Sequence, residues 1–313
     1  MNVLVTAIGS MSAEAVITSL KGAGHKIVGC DIYPFEWLGN SLLVDEFFQV
    51  PKSNNNLDIK TLEKVFKERE IDFVFPLTDP EIDVLSKHID SFNSGETKIC
   101  ISSEKTIELC RDKKKIHDFF KGSDLIQVIP SFIYDELKDE SFDRKILAKP
   151  LLGRSSEGIF IFNSYAQLST ASIKKEDYIF QYFLEGSIFT VDYIRDYYGN
   201  DFSIPREELL RTVNGAGLTV KILEKNHLQY VVKELGKKLN ILGCVNFEFI
   251  FASHSFYLMD INPRFSAGIA FSQLSGYDMV KNHLKVFLKK KIEPPVKINE
   301  RILIKKYVDI FPA

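Results

Sequence analysis

Three features of the sequence predict a mixed α/β and α+β protein. The first hundred residues alternate short apolar runs with amphipathic stretches, the pattern of strand and helix in turn. Beyond Pro130 the apolar runs lengthen and alternate with polar residues. Near 246–262, two strand-like runs flank the short Ala252-Ser253-His254-Ser255 segment and read as an antiparallel hairpin. The expected organisation is a parallel α/β unit over 1–102, a small α+β unit over 103–181 and a larger α+β unit over 182–313.

Residues 2–8 form the first strand, and Gly9-Ser10-Met11-Ser12-Ala13 opens a helix that runs to about residue 21. Gly22 and Gly24 end it, and 26–31 supplies a second strand finishing at Asp31. This start is similar to a dinucleotide fold, hence Rossmann-like, but Met11 and Glu14 replace the later glycines of G-x-G-x-x-G. A substrate-holding or architectural domain is the alternative to a nicotinamide site. Strands at 45–50, 73–76 and 98–101, with helices at 58–69 and 79–91, imply a mainly parallel sheet with right-handed crossovers. Ligands of such sheets collect at the carboxyl ends of the strands, here 6–12, Asp31 and Thr78-Asp79-Pro80-Glu81. Glu81 either caps its helix or touches a ligand, and capping also suits Asp79.

Ser102-Ser103-Glu104 begins a helix ending near Cys110, and Asp112 begins another whose first turn carries Lys113, Lys114 and Lys115. Positive charge at a helix start is unfavourable by a few tenths to about 1 kcal/mol per charge. An anion or solvent must offset it, and solvent suffices for Lys114 and Lys115. The strand at 145–150 carries Lys149 at its end, followed by a loop with Gly153, Ser155, Ser156 and Gly158 and a strand at 159–162. Amides and hydroxyls of such a loop can cover phosphates, although without a helix behind it this is not a Walker A loop. A lysine about 4 Å from a phosphate contributes roughly 4 kcal/mol of gross attraction at an effective dielectric near 20. The apolar run through Gln181, Tyr182, Phe183 and Leu184 to the bend at Glu185-Gly186 suits an adenine slot or plain core.

Arg206 and Arg211 stand on or beside a strand, and Arg264 follows the hairpin. Guanidinium groups turned toward one cleft suit phosphoryl or carboxylate groups. A hairpin centred on His254 puts Glu248 opposite Asp260, with Asn262 on the same face and Phe247, Phe249, Phe251, Tyr257, Met259 and Ile261 on the other. Two opposed carboxylates repel unless a cation lies between them. Oxygen donors without His or Cys fit a hard ion such as Mg²⁺; the alternative is a solvated edge with the charges splayed apart.

Lys and Arg total 40 against 42 Asp and Glu, so no global field favours nucleic acid or an anionic membrane. Four scattered cysteines without C-x-x-C spacing fit reduced thiols in a cytoplasm. No basic n-region opens the chain and no apolar run reaches membrane-span length, so a soluble intracellular protein is expected.

In order, Asp112-Lys113, Lys149-Pro150 with Gly153 to Gly158, Gln181 to Gly186 with Thr190-Val191-Asp192, Pro205-Arg206 with Arg211, Glu248, and Asp260-Ile261-Asn262-Pro263-Arg264 resemble the ATP-grasp superfamily. The likeness is to the carbamoyl-phosphate-synthetase and biotin-carboxylase branch with its small stand-alone amino-acid ligases, and covers about 102–290. The resemblance implies ATP and Mg²⁺ as cofactors. Lys113 and Lys149 would hold phosphates under the 153–158 loop, Gln181 with the backbone of Tyr182 and Leu184 would hold adenine, and Glu248, Asp260 and Asn262 would bind Mg²⁺. Arg264 with Arg206 or Arg211 would stabilise the transferred phosphoryl and acyl-phosphate groups. Ile188 occupies the place of the usual ribose-binding acid, so ribose binding either relies on Glu185 or differs from the family's.

The expected activity is ATP-dependent carboxylate–amine ligation through an acyl phosphate, on small, amino-acid-like carboxylate and amine substrates, with a homodimer as the default assembly. Two rivals are a nucleotide-binding subunit without catalysis, as in a split synthetase, and a nicotinamide-dependent oxidoreductase. The base for the amine is unassigned.

Overall fold

The computed structural model describes residues 1–51, 59–137, 144–153 and 157–311. The chain builds three sheets. The first holds β1 (Asn2–Val5), β2 (Lys26–Asp31), β3 (Glu46–Gln49), β4 (Phe73–Phe75) and β5 (Lys98–Ile99), all parallel in the order β3-β2-β1-β4-β5. Its strands read as near-continuous apolar runs because helices cover both faces. Val3, Val5, Ile17 and Leu20 pack on one side and Leu4, Val28, Val74 and Ile82 on the other. The helix expected over 79–91 is interrupted: Asp79–Leu85 gives way to a tight turn at Ser86–His88 before Ile89–Ser94.

After β6 (Gln127–Val128), a small antiparallel sheet forms from β7 (Ser131–Phe132), β8 (Ile146–Pro150), β9 (Phe160–Phe162) and β10 (Tyr178–Tyr182), ordered β7-β10-β8-β9. It surrounds its own core of Leu137, Ile146, Ala148, Leu168 and Phe180. The large sheet is built from β11 (Ser187–Arg195), β12 (Asp201–Arg211), β13 (Gly217–Ile222), β14 (Gly243–Ala252), β15 (Ser255–Asn262) and β16 (Arg301–Ile304), with β6 at its far edge. Gly186 lies in the link from β10 to β11, where a Cβ would collide with the Phe251 carbonyl oxygen, so the crossing of the two sheets requires glycine.

The β14–β15 hairpin pairs Glu248 with Asp260 and Asn246 with Asn262, as the sequence predicts, but by a different route. The turn is a tight two-residue one at Ser253-His254, both with positive φ (48° and 62°), and pairs Ala252 with Ser255. Left alone, that register would set Glu248 opposite Met259; a β-bulge inserts Met259 between the Leu258 and Asp260 pairs and restores the opposition. The expected apolar face changes accordingly. Leu258, not Met259 or Tyr257, joins Phe247, Phe249 and Ile261 in the core, and Met259 turns to the cleft.

Among the described residues all four cysteines are buried and unpaired, and no helix is long and apolar enough to cross a membrane.

Candidate active site

The three sheets meet around one cleft of about 900 Å³, a volume typical of a small-molecule site. The carboxyl ends of β1, β2 and β4 supply Gly9 to Ser12, Asp31 and Thr78 to Glu81. The small sheet supplies Lys149, Pro150 and Gly153, and the large sheet Arg206, Glu208, Arg211, Glu248, Asp260 and Asn262.

Lys113 follows the helix cap Asp112, whose carboxylate accepts the Lys114 and Lys115 amides. Lys114 pairs with Asp118 at 2.7 Å on the surface, as expected of a solvated face. Lys113 instead reaches inward, donating to the Gly153 carbonyl at 3.1 Å and standing 3.8 Å from Asp260. Lys149 is 6% exposed, its ammonium 3.5 Å from the Met259 carbonyl. Burial lowers its pKa to about 8, with Lys113 adding to the effect and Asp260 and Glu248 opposing it. Gly153 and Gly158 pack against Pro150 at the two ends of the loop, while Ser155 and Ser156 lie outside the described residues.

Gln181 lies at a narrow recess that shares Lys113, Met259 and Asp260 with the cleft. Its amide donates to Ser131 Oγ at 2.7 Å, and its buried Oε1 has no partner among the described residues. The neighbouring residues are turned elsewhere: the Tyr182 and Phe183 amides already donate to the Pro130 and Lys145 carbonyls, and Leu184 and Glu185 line neither space.

On the opposite wall Glu248 accepts from Arg211 Nη2 at 3.1 Å and from Asn262 Nδ2 at 3.2 Å. Burial, reinforced by Asp260 and Glu208, pushes its carboxyl above the usual range against the pull of Arg211. No three His, Cys, Asp or Glu converge on one point among the described residues. The donor set is therefore two carboxylates and an amide oxygen, which fits a hard cation completed by water and phosphate oxygens.

The three arginines have distinct settings. Arg206, 1% exposed, donates to Asp192 at 2.7 Å, Ser266 at 3.1 Å and Glu208 at 3.1 Å. Asp192 also accepts from Ser272 at 2.6 Å. Period-two alternation would set Arg211 on the opposite face from Arg206, but β12 slips register between Glu208 and Arg211. Arg264 is gripped bidentately by Asp79, at 2.8 and 3.0 Å, across from the first sheet. Asp79 is 2% exposed; burial would raise its pKa, but Arg264, Arg111 and Lys113 outweigh this and hold it below the usual range. Asp79 is thus more than a helix cap, whereas Glu81 does accept the Thr78 amide at 3.1 Å.

Sequence reasoning named Arg264 and Asp192 but did not pair Arg264 with Asp79 or give Asp192 a role, and it passed over Glu208. Glu208 had a signal: it stands two residues after Arg206 on one strand and so shares its face. Nothing local marks Asp79–Arg264, which joins residues 185 apart. The turn over Gly9 is filled by Leu38 and Asp31, and both Asp31 oxygens accept amides, from Gly9 at 2.8 Å and Tyr33 at 3.1 Å. That carboxylate organises the turn.

Fold and cleft together are similar to those of ATP-grasp proteins, carbamoyl phosphate synthases and biotin carboxylases among them. More narrowly, residues 174–309 match the family described as ATP-grasp in the biosynthetic pathway with Ter operon, and residues 3–100 match the PylC-like N-terminal domain. The large chain of carbamoyl phosphate synthase from Thermoplasma volcanium is 22% identical over 301 residues, covering 88% of this chain and 28% of that one. The chain therefore spans under a third of the length of that relative. The biotin carboxylase domain of Hydrogenobacter thermophilus 2-oxoglutarate carboxylase, solved with MgADP and bicarbonate, superposes with a TM-score of 0.78 at 16% identity, covering 95% of this chain and 72% of that one. N5-carboxyaminoimidazole synthetase from Staphylococcus aureus, solved with ADP, gives 0.76 at 13%, covering 97% and 81%.

Proposed function

We propose that the protein is an ATP-dependent carboxylate–amine ligase that activates its carboxylate as an acyl phosphate and releases ADP and phosphate. The observation that carries this reading is the facing of two inward-turned lysines, Lys113 and the buried Lys149, against Glu248, Asp260 and Asn262 across one cleft. Phosphoryl transfer needs positioning and charge neutralisation more than covalent catalysis, and this cleft offers both. Lys113 and Lys149 would hold the nucleotide phosphates. Adenine would sit on the cleft side of the recess at Gln181, whose Oε1 would accept from the exocyclic amine. Glu248, Asp260 and Asn262 would hold Mg²⁺, which would supply charge neutralisation on the phosphates.

Arg211, bound to Glu248 and the Gly215 carbonyl at the cleft wall, is the arginine best placed for the transferred phosphoryl group. Arg206 and Arg264 act from more fixed positions, the first shaping the floor and the second tying the cleft to the first sheet. The acidic ends of the first sheet, with the large volume beside them, receive small amino-acid-like substrates. Four buried thiols agree with a reducing cytoplasm.

A screen of carboxylates and amines for ADP release, with mass detection of the product, tests the reading. Asp260→Asn or Lys149→Ala with full activity would refute the site assignment. Saturation of Arg206 and Arg264 by protein partners favours one second reading, a nucleotide-binding subunit without ligase activity. That reading predicts Mg-ATP binding with no ADP release from any pool.

A further inference from the structure

We propose that Glu208 receives the amine substrate: its free carboxylate oxygen holds the incoming ammonium and takes the proton that frees the nitrogen for attack. This rests on the ligase reading above. The Glu208 side chain is 3% exposed and lines the cleft. One oxygen, Oε1, accepts from Arg206 Nε at 3.1 Å, while Oε2 is buried without a hydrogen-bond partner among the described residues. A buried carboxylate oxygen left unpaired is costly and calls for a ligand group.

Local structure makes room for the carboxylate. Gly217 on β13 lies against Glu208 Oε2, and a Cβ there would collide with it, so glycine makes the room the carboxylate occupies. Glu208 is not a third metal donor: it stands on β12, separated from Glu248 on β14 by the whole of β11, and no three acids converge among the described residues. The charged groups around it are Arg206 and Arg211 on its own strand, Glu248 two strands away and Lys305 beyond the edge strand. The single free acceptor therefore suits a cation that arrives with the substrate.

The chemistry balances. Ammonium gives one proton to the Glu208 carboxylate, and the nitrogen lone pair forms the bond to the acyl carbonyl. The tetrahedral adduct collapses as the carbon–oxygen bond to phosphate breaks, the phosphate leaving with that electron pair and the second proton. Amide and hydrogen phosphate result, and Glu208 returns its proton to solvent. A positioned base of this kind contributes about 10²–10⁴-fold.

Hydroxylamine separates the roles, because it is neutral at pH 7 and attacks an acyl phosphate without losing a proton first. Full-length wild type and Glu208→Gln are assayed with Mg-ATP and a pool of amino acids, with and without hydroxylamine, between pH 6.5 and 9.5. Expected is a loss of about a hundredfold in amide formation at pH 7, hydroxamate formation within about threefold of wild type, and partial recovery of amide formation as pH approaches 9.5. Gly217→Ala, which displaces Oε2 while keeping the acid, is expected to show the same split. Equal loss of both products, or loss of neither, overturns the assignment. Absence of hydroxamate from wild type instead removes the ligase reading on which it rests.

Discussion

Lys149→Met is expected to stabilise the ligand-free protein while weakening its hold on Mg-ATP. The ammonium is buried at 6% exposure and has, among the described residues, one weak acceptor, the Met259 carbonyl at 3.5 Å. Burial sets its pKa at about 8 rather than 10.5. Keeping it charged at neutral pH therefore costs the folded state about 3 kcal/mol. Methionine matches the length of the lysine stem without the charge, so the variant recovers most of that cost, several degrees in Tm. The gain carries a pH signature. Between pH 8 and 10.5 the unfolded chain holds the Lys149 proton and the folded chain does not, so wild-type stability rises with pH there and the gap to the variant narrows. With nucleotide present the sign reverses, since a lysine about 4 Å from a phosphate contributes roughly 4 kcal/mol of gross attraction. Differential scanning calorimetry at pH 7 and 9.5, with and without Mg-ATP, reads all three effects. A lower ligand-free Tm for the variant, or an undiminished Mg-ATP shift, would refute the reasoning.

Asp79→Asn leaves two buried arginines facing a neutral amide and is expected to cost about 3–5 kcal/mol, read as a fall in the urea midpoint. His283 accepts the Cys244 amide at Nδ1 and is pushed down to about 4 by burial, so stability falls as pH drops from about 6.5 toward 4. NMR should show its ring unprotonated at pH 5.5, and titration near 6.5 would contradict this. Gly186→Ala drives a methyl into the Phe251 carbonyl and is expected to lower Tm by more than 5 °C, an effect of about 2 kcal/mol or more.

The order of the three sheets was legible because periodicity reports burial, and burial on one face or two separates the parallel from the antiparallel sheets. The opposition of Glu248 and Asp260 was legible too, yet the single-residue arithmetic behind it succeeded through a bulge that sequence does not announce. The apolar face was accordingly misread at Tyr257, Leu258 and Met259. Arg211 joined Arg206 only through a slip in β12, and Asp79 found Arg264 only when the chain had folded across 185 residues. Glu208 was within reach of a period-two reading from Arg206, but its unpaired oxygen is a property of packing, which no spacing encodes.

The extra residue in β15 sets the sheet and the cleft in competition over one position. Removing Met259 would leave a regular ladder from Ala252–Ser255 to Asn246–Asn262, with every neighbouring pair unchanged. The shortened hairpin would be a better strand pair and a poorer site, having lost the carbonyl that faces Lys149 and the side chain between the cleft and the Gln181 recess. Length variation at this point would thus exchange ligand binding for sheet stability without altering a single carboxylate, lysine or arginine.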